Sequence, residues 1–195
     1  MLARAMFEDV WDTLRTARAR FRLLVVTSEP EVIKRCRAED VDCLIEGEQR
    51  SHSDSVRAAT EWAMQHGVTS LLSIPIDTPA ITAPEIFQLA RLASQHSVVV
   101  VPSADGTGTN ALLRTPPNAI APRFGPGSCR LHVEQALAAG LPHLVYPIPS
   151  FAADIDTPAD AGHFLALGRP CRTATLLRQW FGAALGSRRR VAVCS

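Results

Sequence analysis

Three aspartates stand where a carboxylate can hold a metal ion. Asp77 follows the apolar run that begins at Leu71, and Asp154 and Asp156 lie two residues apart in DIDTPAD, ahead of a predicted helix. Side chains two apart on an extended segment point to the same side, and Mg²⁺ takes oxygen ligands while keeping waters and substrate phosphates in its shell. Turn or helix capping is the alternative for each loop, but two such loops in one sheet favour a metal site.

A loop with two glycines, ADGTGTN, follows the valine run at 98–101. It is not a P-loop, because no Gly-Lys-Ser/Thr follows, and it lacks the third glycine and the helix of a dinucleotide fingerprint. A short strand is predicted over 111–113, ended by a pair of prolines. The loop amides, with side-chain donors from Thr107, Thr109 and Asn110, predict an anion-binding concavity. A plain hairpin turn is the alternative.

A third polar segment, FGPGSCRLH, places Gly125 and Gly127 before Ser128, where a helix is predicted to start. The N-terminus of a helix offers free amides and a positive dipole to an anion. Ser128 and His132 are four residues apart on one helical face, so both can reach a single ligand. A structural hydrogen-bonding role is the alternative for His132.

Short apolar runs alternate with helical patterns along the chain. Strands are predicted in FRLLVV, VDCLIEG, VTSLLSIPID, SVVVVPS and HLVYPIP, because these runs are apolar and bounded by turn residues. The helices carry start signals, including a capping box of Thr82 with Glu85 and a cap series at Thr157, Pro158 and Asp160. Apolar strands joined by helices predict an α/β fold whose mostly parallel sheet is covered on both faces. Ligands of such sheets bind beyond the carboxyl ends of the strands.

The length of 195 residues predicts one domain over 1–167 and a partly helical tail over 168–195. A formal charge of +1 provides no basic surface for nucleic acid. With no signal-peptide pattern and no apolar run of bilayer length, we expect a cytoplasmic protein without a membrane partner. The five cysteines are scattered, without a C-x-x-C pair, and are expected to be reduced thiols. The tail packs on the domain or on a second copy, which leaves a homodimer open.

Four motifs taken together resemble one family. DGTGTNALL, FGPGS with a histidine four residues after the serine, DIDTPAD and IPIDTP are similar, in order and spacing, to the 2-phospho-L-lactate guanylyltransferases of deazaflavin coenzyme biosynthesis. The resemblance runs from residue 2 to about residue 167, and the combination is specific where each motif alone is weak. The wider superfamily is that of the MobA-like nucleotidyltransferases, and SHSDSVRAA is closer to their serine-rich version of that loop.

The resemblance implies a Rossmann-like, nucleotide-diphospho-sugar transferase fold and a defined reaction. GMP would pass from GTP to the phosphate of a small acid, with release of pyrophosphate, in coenzyme F-420 biosynthesis. The acid in this family is 2-phospho-L-lactate, phosphoenolpyruvate or 3-phosphoglycerate. Such transfer needs positioning and charge neutralisation more than covalent help, and the substrate phosphate is already an anionic nucleophile.

The matched motif positions give the expected site residues. Asp77 and Asp156 are the implied catalytic residues and Mg²⁺ ligands, with Asp154 as a further metal ligand. The acid would be held by residues of the two glycine segments: Thr109, Asn110, Gly125 and Ser128.

The chain differs from the family at its N-terminus. The family normally begins with a strand and a loop of the type VPVK … AKSRL, whose lysine and amides hold phosphates, whereas MLARAMFEDV corresponds to the helix that comes next. A sheet without that strand is expected to contain a gap with unpaired ladder groups. Two interpretations besides an active guanylyltransferase stay open: a non-catalytic relative that acts as a binding partner, and a MobA-like transferase with another nucleotide or acceptor.

Overall fold

A computed structural model describes residues 1–47 and 51–188, with side chains described as far as residue 181. Cys194, which the sequence predicts to be a reduced thiol, lies outside the described residues. Helices and strands follow one another in the order α1 (Leu2–Ala17), β1 (Leu24–Thr27), α2 (Pro30–Ala38), β2 (Asp42–Ile45), α3 (His52–Gln65), β3 (Leu71–Ser73), α4 (Ala83–Leu92), β4 (Val98–Pro102), β5 (Thr109–Arg114), α5 (Ser128–Ala138), β6 (His143–Val145), α6 (Pro158–Ala166) and α7 (Arg172–Arg188). The α/β class predicted from the sequence is confirmed.

The strands form two separate sheets within the described residues. β1 and β2 pair in parallel, and a second sheet has the order β3-β5-β4-β6. β4 and β6 are parallel, while β5 runs antiparallel to both β3 and β4. The segment ADGTGTN therefore forms the turn of a β4–β5 hairpin and the start of β5, and a hairpin was the alternative to an anion cradle. β5 also begins two residues earlier than predicted, so Thr109 and Asn110 lie in a strand rather than in a loop.

The hairpin lies at the centre of the core. Every residue of β4 and β5 is buried. Val99, Val101 and Leu113 pack towards α1 and α4 on one face of the sheet, and Val100 and Leu112 pack towards α5 on the other. Because both faces are covered, β4 is a continuous apolar run, and β5 is apolar over its central residues 111–113.

Both predicted capping boxes are present. Thr82 and Glu85 close the first turn of α4, and Thr157 and Asp160 close that of α6. The C-terminal helix α7 packs along α1, where both carboxylate oxygens of Asp9 accept hydrogen bonds, from the backbone amides of Arg172 and Thr173, at 3.0 and 2.8 Å. A domain boundary at residue 167 stays a prediction. In the described part of the chain, no helix is long and apolar enough to cross a membrane.

The edges of β1 and β3 that have no strand partner border an apolar cleft. In the described residues β1 pairs only with β2, and β3 pairs only with β5. Side chains of α1, including Trp11 and Leu14, and of α3, including Ala59 and Ala63, line the same space. We call this space the β1–β3 cleft. The cleft matches the gap expected from the sequence. Its strands, β1 and β3, are half-buried, whereas β4 and β5 are fully buried.

Candidate active site

The β1–β3 cleft opens into a polar region where three carboxylates meet. Asp77, Asp154 and Asp156 all line one cavity of about 1440 Å³ that also includes the cleft. Burial raises the pKa of Asp77, and the negative charges of Asp154 and Asp156 raise it further. Asp77 Oδ1 is buried without a hydrogen-bond partner among the described residues. We call this region the acidic end of the cavity.

Asn110 connects the acidic end to the β4–β5 hairpin. Its Nδ2 donates to the carbonyl oxygen of Phe151 at 2.8 Å and to Asp154 Oδ1 at 3.0 Å. Burial raises the pKa of Asp154, the hydrogen bond from Asn110 opposes that shift, and Asp156 adds to it. Asn110 therefore holds the β6–α6 loop in place, so its amide hydrogens are engaged by protein atoms.

Helix capping does not account for Asp156. The capping box of α6 is completed by Asp160, three residues after Thr157. Its carboxylate accepts hydrogen bonds from the backbone amides of Thr157, at 2.7 Å, and Asp156, at 3.3 Å. The carboxylate of Asp156 is exposed at the mouth of the cavity. The two aspartates of DIDTPAD are thus placed at the cavity while the cap is made by another residue.

The acidic end suits a hard divalent cation bound by few protein ligands. No group of three or more His, Cys, Asp or Glu side chains in residues 1–47 and 51–188 is arranged as a complete metal site. Mg²⁺ commonly uses one or two carboxylates and takes its other ligands from substrate phosphates and water. A buried carboxylate oxygen without a partner, with two more carboxylates nearby, fits that mode.

Two hydroxyl groups and a glycine form a second polar surface on the same cavity, which we call the hydroxyl pocket: Thr109, Gly125 and Ser128. Ser128 is buried, and its Oγ has no hydrogen-bond partner in the described chain. Thr109 Oγ1 lies 3.1 Å from His132 Nδ1. Gly125 has a φ of 118°, a backbone conformation that strains other residues.

The amides expected to bind an anion are mostly engaged within the chain. At the start of α5, Ser128 N donates to Gly125 O at 3.1 Å, and Cys129 N donates to Thr107 O at 3.0 Å. The prediction that these two amides are free is therefore wrong. Ser128 still lines the cavity, and it lies in the first turn of α5, at the positive end of the helix dipole.

The hairpin turn is likewise closed on itself. Asp105 accepts from Ser103 Oγ at 2.6 Å and from Thr107 N at 3.0 Å, and Gly108 N donates to Ser103 Oγ at 2.7 Å. The hydrogen bonds that Asp105 accepts, from Ser103 first and then from Thr107, lower its pKa to about 2. The predicted concavity of free amides is absent from this turn because its polar groups satisfy one another.

Helical spacing allowed His132 and Ser128 to reach one ligand, but His132 is engaged by protein atoms instead. The side chain is fully buried, and both ring nitrogens have protein partners: Thr109 Oγ1 and the backbone amide of Arg123. Burial and the nearby charge of Arg114 lower the pKa of His132 to about 4. Its structural role, the alternative raised from the sequence, is the one observed.

A family model described as "Guanylyl transferase CofC like" matches residues 1–187. The chain belongs to this family. The match extends into α7, beyond the stretch in which the motifs alone are recognisable. Guanylyl transferases are nucleotidyltransferases, so the enzyme class predicted from the sequence is confirmed.

Named relatives agree with membership of the CofC-like family, and a solved structure shares the fold. The chain is 35% identical over 162 residues to a phosphoenolpyruvate guanylyltransferase of Conexibacter woesei, covering 82% of this chain and 72% of the relative. It is 30% identical over 181 residues to a 3-phospho-D-glycerate guanylyltransferase of Colwellia psychrerythraea, covering 89% and 86%. A structure from Desulfovibrio desulfuricans, provisionally assigned as a nucleotide-diphospho-sugar transferase, superimposes with a TM-score of 0.73 at 18% identity, covering 92% and 81%. At this low identity, the similarity to the Desulfovibrio structure shows only that the two chains share a fold.

The structure adds one residue of this CofC-like chain, His52, that the motifs did not indicate. His52, at the start of α3, lines the cavity, and its Nε2 is buried without a partner in the described residues. Burial lowers the pKa of His52. Its ring lies edge-on to Phe124 with centroids 4.3 Å apart, and Phe124 N donates to Ser53 Oγ at 2.9 Å. The signal available in the sequence was the polar cluster SHSDS, whose contact with FGPGS is not visible from spacing.

Proposed function

We propose that this chain transfers GMP from GTP to the phosphate of a small phosphorylated acid and releases pyrophosphate. One observation supports this most: a single cavity contains both a cluster of carboxylates with an unsatisfied buried oxygen, on Asp77, and an unsatisfied buried hydroxyl, on Ser128. The first feature suits a cation between phosphates, and the second suits an anionic acceptor.

The proposed roles follow from these positions. Asp77 and Asp156 would hold the metal ion, with Asp154 beside them on the loop that Asn110 secures. The acid would be held in the hydroxyl pocket by Thr109, Gly125 and Ser128. Mg²⁺ bound there would neutralise the triphosphate and stabilise the leaving pyrophosphate.

The reaction balances without a protein base. An oxygen of the acceptor phosphate forms a bond to the α-phosphorus of GTP, and the bond from that phosphorus to the oxygen bridging to the β-phosphorus breaks. The attacking oxygen is already an anion, so the side chains need only position the two substrates and offset their charge.

We infer that phosphoenolpyruvate is the first acceptor to test, since the Conexibacter relative at 35% identity is named for it. The relative at 30% identity, named for 3-phospho-D-glycerate, makes that acid the second. With either acid the product is a guanylylated phospho-acid, which we place in coenzyme F-420 biosynthesis on the family resemblance.

The experiment is a pyrophosphate-release assay on the purified chain. GTP and Mg²⁺ are combined in turn with phosphoenolpyruvate, 3-phosphoglycerate and 2-phospho-L-lactate, with reactions lacking acid or containing a chelator as controls. We expect release that requires both metal and one acid. Absence of release with all three acids contradicts the proposal and favours a non-catalytic relative.

A second set of reactions tests nucleotide choice. The segment SHSDS resembles MobA-like transferases, and His52 from that segment lines the cavity, so CTP and ATP are compared with GTP. Turnover that is fastest with CTP or ATP would favour a MobA-like transferase of different specificity.

A further inference from the structure

The ring of His132 is fixed by two hydrogen bonds of opposite kind. Nε2 faces the backbone amide of Arg123 at 2.9 Å, and Nδ1 faces Thr109 Oγ1 at 3.1 Å. The side chain is fully buried, and the ring of Phe124 packs edge-on at a centroid distance of 5.3 Å. The orientation of the imidazole is therefore set by the strand, the helix and the FGPGS segment together.

These contacts specify which nitrogen carries the proton. A backbone N–H can only donate, so His132 Nε2 must present its lone pair to Arg123 N. A neutral imidazole then carries its proton on Nδ1. Because burial and the charge of Arg114 hold the pKa of His132 near 4, the ring is neutral at physiological pH.

The tautomer determines the direction of the hydrogen bond to Thr109. The Nδ1–H group donates, so Thr109 Oγ1 accepts, and the hydroxyl hydrogen of Thr109 is free to point elsewhere. Thr109 lines the same cavity as Ser128, whose Oγ lacks a protein partner in the described chain. The hydroxyl pocket thus has two hydroxyl donors available to an anion.

We propose that His132 is a positioning residue that fixes Thr109 as a hydrogen-bond donor to the phosphorylated acid. Without the Nδ1–H group, the threonine hydroxyl can instead donate to the imidazole, and its oxygen lone pairs then face the anion. This inference rests on the proposed function only in taking the ligand of the hydroxyl pocket to be the acceptor acid.

A matched pair of variants separates positioning from structural support. The side-chain amide of His132→Asn places an N–H close to the Nδ1 position, whereas His132→Gln places a carbonyl oxygen close to the Nε2 position. We expect the Gln variant to bind phosphoenolpyruvate at least about tenfold more weakly, and the Asn variant to stay within about threefold of the parent. The KM for GTP should stay unchanged in both.

Two measurements that do not depend on turnover complete the test. Calorimetric titration of phosphoenolpyruvate into each variant gives the affinity, and long-range ¹H–¹⁵N correlation spectra of the parent protein give the tautomer of His132. In a Thr109→Val background, His132→Gln should cause no further loss of affinity, because the two residues act through one hydrogen bond.

The outcomes distinguish this inference from the proposed function. Normal acid binding with the expected variant pattern but no pyrophosphate release would overturn the proposed function and support the inference. An Nε2–H tautomer, equal losses of affinity in the two variants, or no binding of the acid to the parent protein would overturn the inference.

Discussion

The β4–β5 hairpin and the β1–β3 cleft are built from similar apolar residues but differ in how their backbones are satisfied. β4 and β5 pair on both sides within the second sheet, and all their residues are buried. β1 and β3 pair on one side only in the described residues and are half-buried. The hairpin is therefore a fixed support, whereas the cleft has unpaired strand edges.

This difference determines what each region contributes to the site. Thr109 and Asn110 are held by the hairpin, and through them the hydroxyl pocket and Asp154 have defined positions. Among the described residues, the arginines and lysines that line the cavity come from the segment between α1 and β1: Arg18, Arg20 and Arg22. The acceptor side is thus preorganised by packing, while the cleft side supplies mainly apolar surface.

The largest expected effect is a loss of turnover, which tests whether the reaction takes place at the acidic end of the cavity. Asp77→Asn should lower turnover by about 1000-fold. The variant loses a few kcal/mol of stabilisation of the transition state by the metal ion, and the rate falls tenfold for about every 1.36 kcal/mol lost. The free energy of unfolding of the Asp77→Asn variant should not fall below that of the parent protein. Burial raises the pKa of Asp77, so the charged carboxylate is disfavoured in the folded protein and its removal costs no stability. Asp12→Asn, which removes an equal charge beside Arg172, is the control. Full turnover in Asp77→Asn would remove this residue from the site.

A matched pair of leucines measures the difference in packing between the two regions. Leu112 in β5 is fully buried, whereas Leu72 in β3 is half-buried and lines the cleft. Leu112→Ala should lower the free energy of unfolding by about 2 to 5 kcal/mol, and Leu72→Ala by at least about 2 kcal/mol less. Urea denaturation at neutral pH gives both values. Equal losses would mean that the cleft is as tightly packed as the hairpin.

The pH dependence of stability should be dominated by the hairpin side. The pKa of His132 is about 4 in the folded protein against an ordinary value of 6.5, so the unfolded chain binds more protons between these pH values. Stability therefore falls as the pH drops through this window, by about 2 kcal/mol between pH 7 and pH 4.5 from this residue.

Replacing each of the two histidines whose pKa is lowered assigns this pH effect to one residue. His132→Asn should flatten the dependence in urea unfolding measured at the two pH values. His52, which is less buried than His132 and also contacts Phe124, has a lowered pKa too, and His52→Asn should change the dependence less. A larger change from His52→Asn would contradict the assignment of the pH effect to His132.

The smallest expected effect compares two equivalent helix caps. Thr82→Ala and Thr157→Ala each remove a capping-box side chain and should lower the free energy of unfolding by about 1 kcal/mol. Only Thr157 adjoins Asp156, so only Thr157→Ala should also reduce turnover. Thermal denaturation and initial rates measured on the same samples separate the two effects. Equal reductions in rate would indicate a general effect of stability.

Much of this arrangement was visible in the sequence. The apolar runs predicted the strands, the cap series at Thr82 and Thr157 predicted two helix starts, and polar residues after apolar runs predicted where Asp77 and Asp154 would lie. These features depend on residues close together in the chain, where local periodicity and turn chemistry act.

The remainder depends on contacts that spacing does not encode. Apolar residues alone do not decide whether a fully buried strand pairs in parallel or antiparallel, so the antiparallel direction of β5 was only one of two alternatives. Whether the loop amides were free depended on Asp105 and Ser103, whose side chains satisfy them. The partners of His132 are 23 and 9 residues away in sequence.

The most direct test of the central claim is to observe the product by ³¹P NMR. The purified chain is incubated with GTP, Mg²⁺ and, in separate samples, phosphoenolpyruvate, 3-phosphoglycerate or 2-phospho-L-lactate, and the spectrum is followed over time. The account predicts loss of the GTP signals and the appearance of pyrophosphate together with a new phosphoanhydride that joins GMP to the acid. Unchanged GTP, or conversion only to GDP and phosphate, with each of the three acids would contradict it.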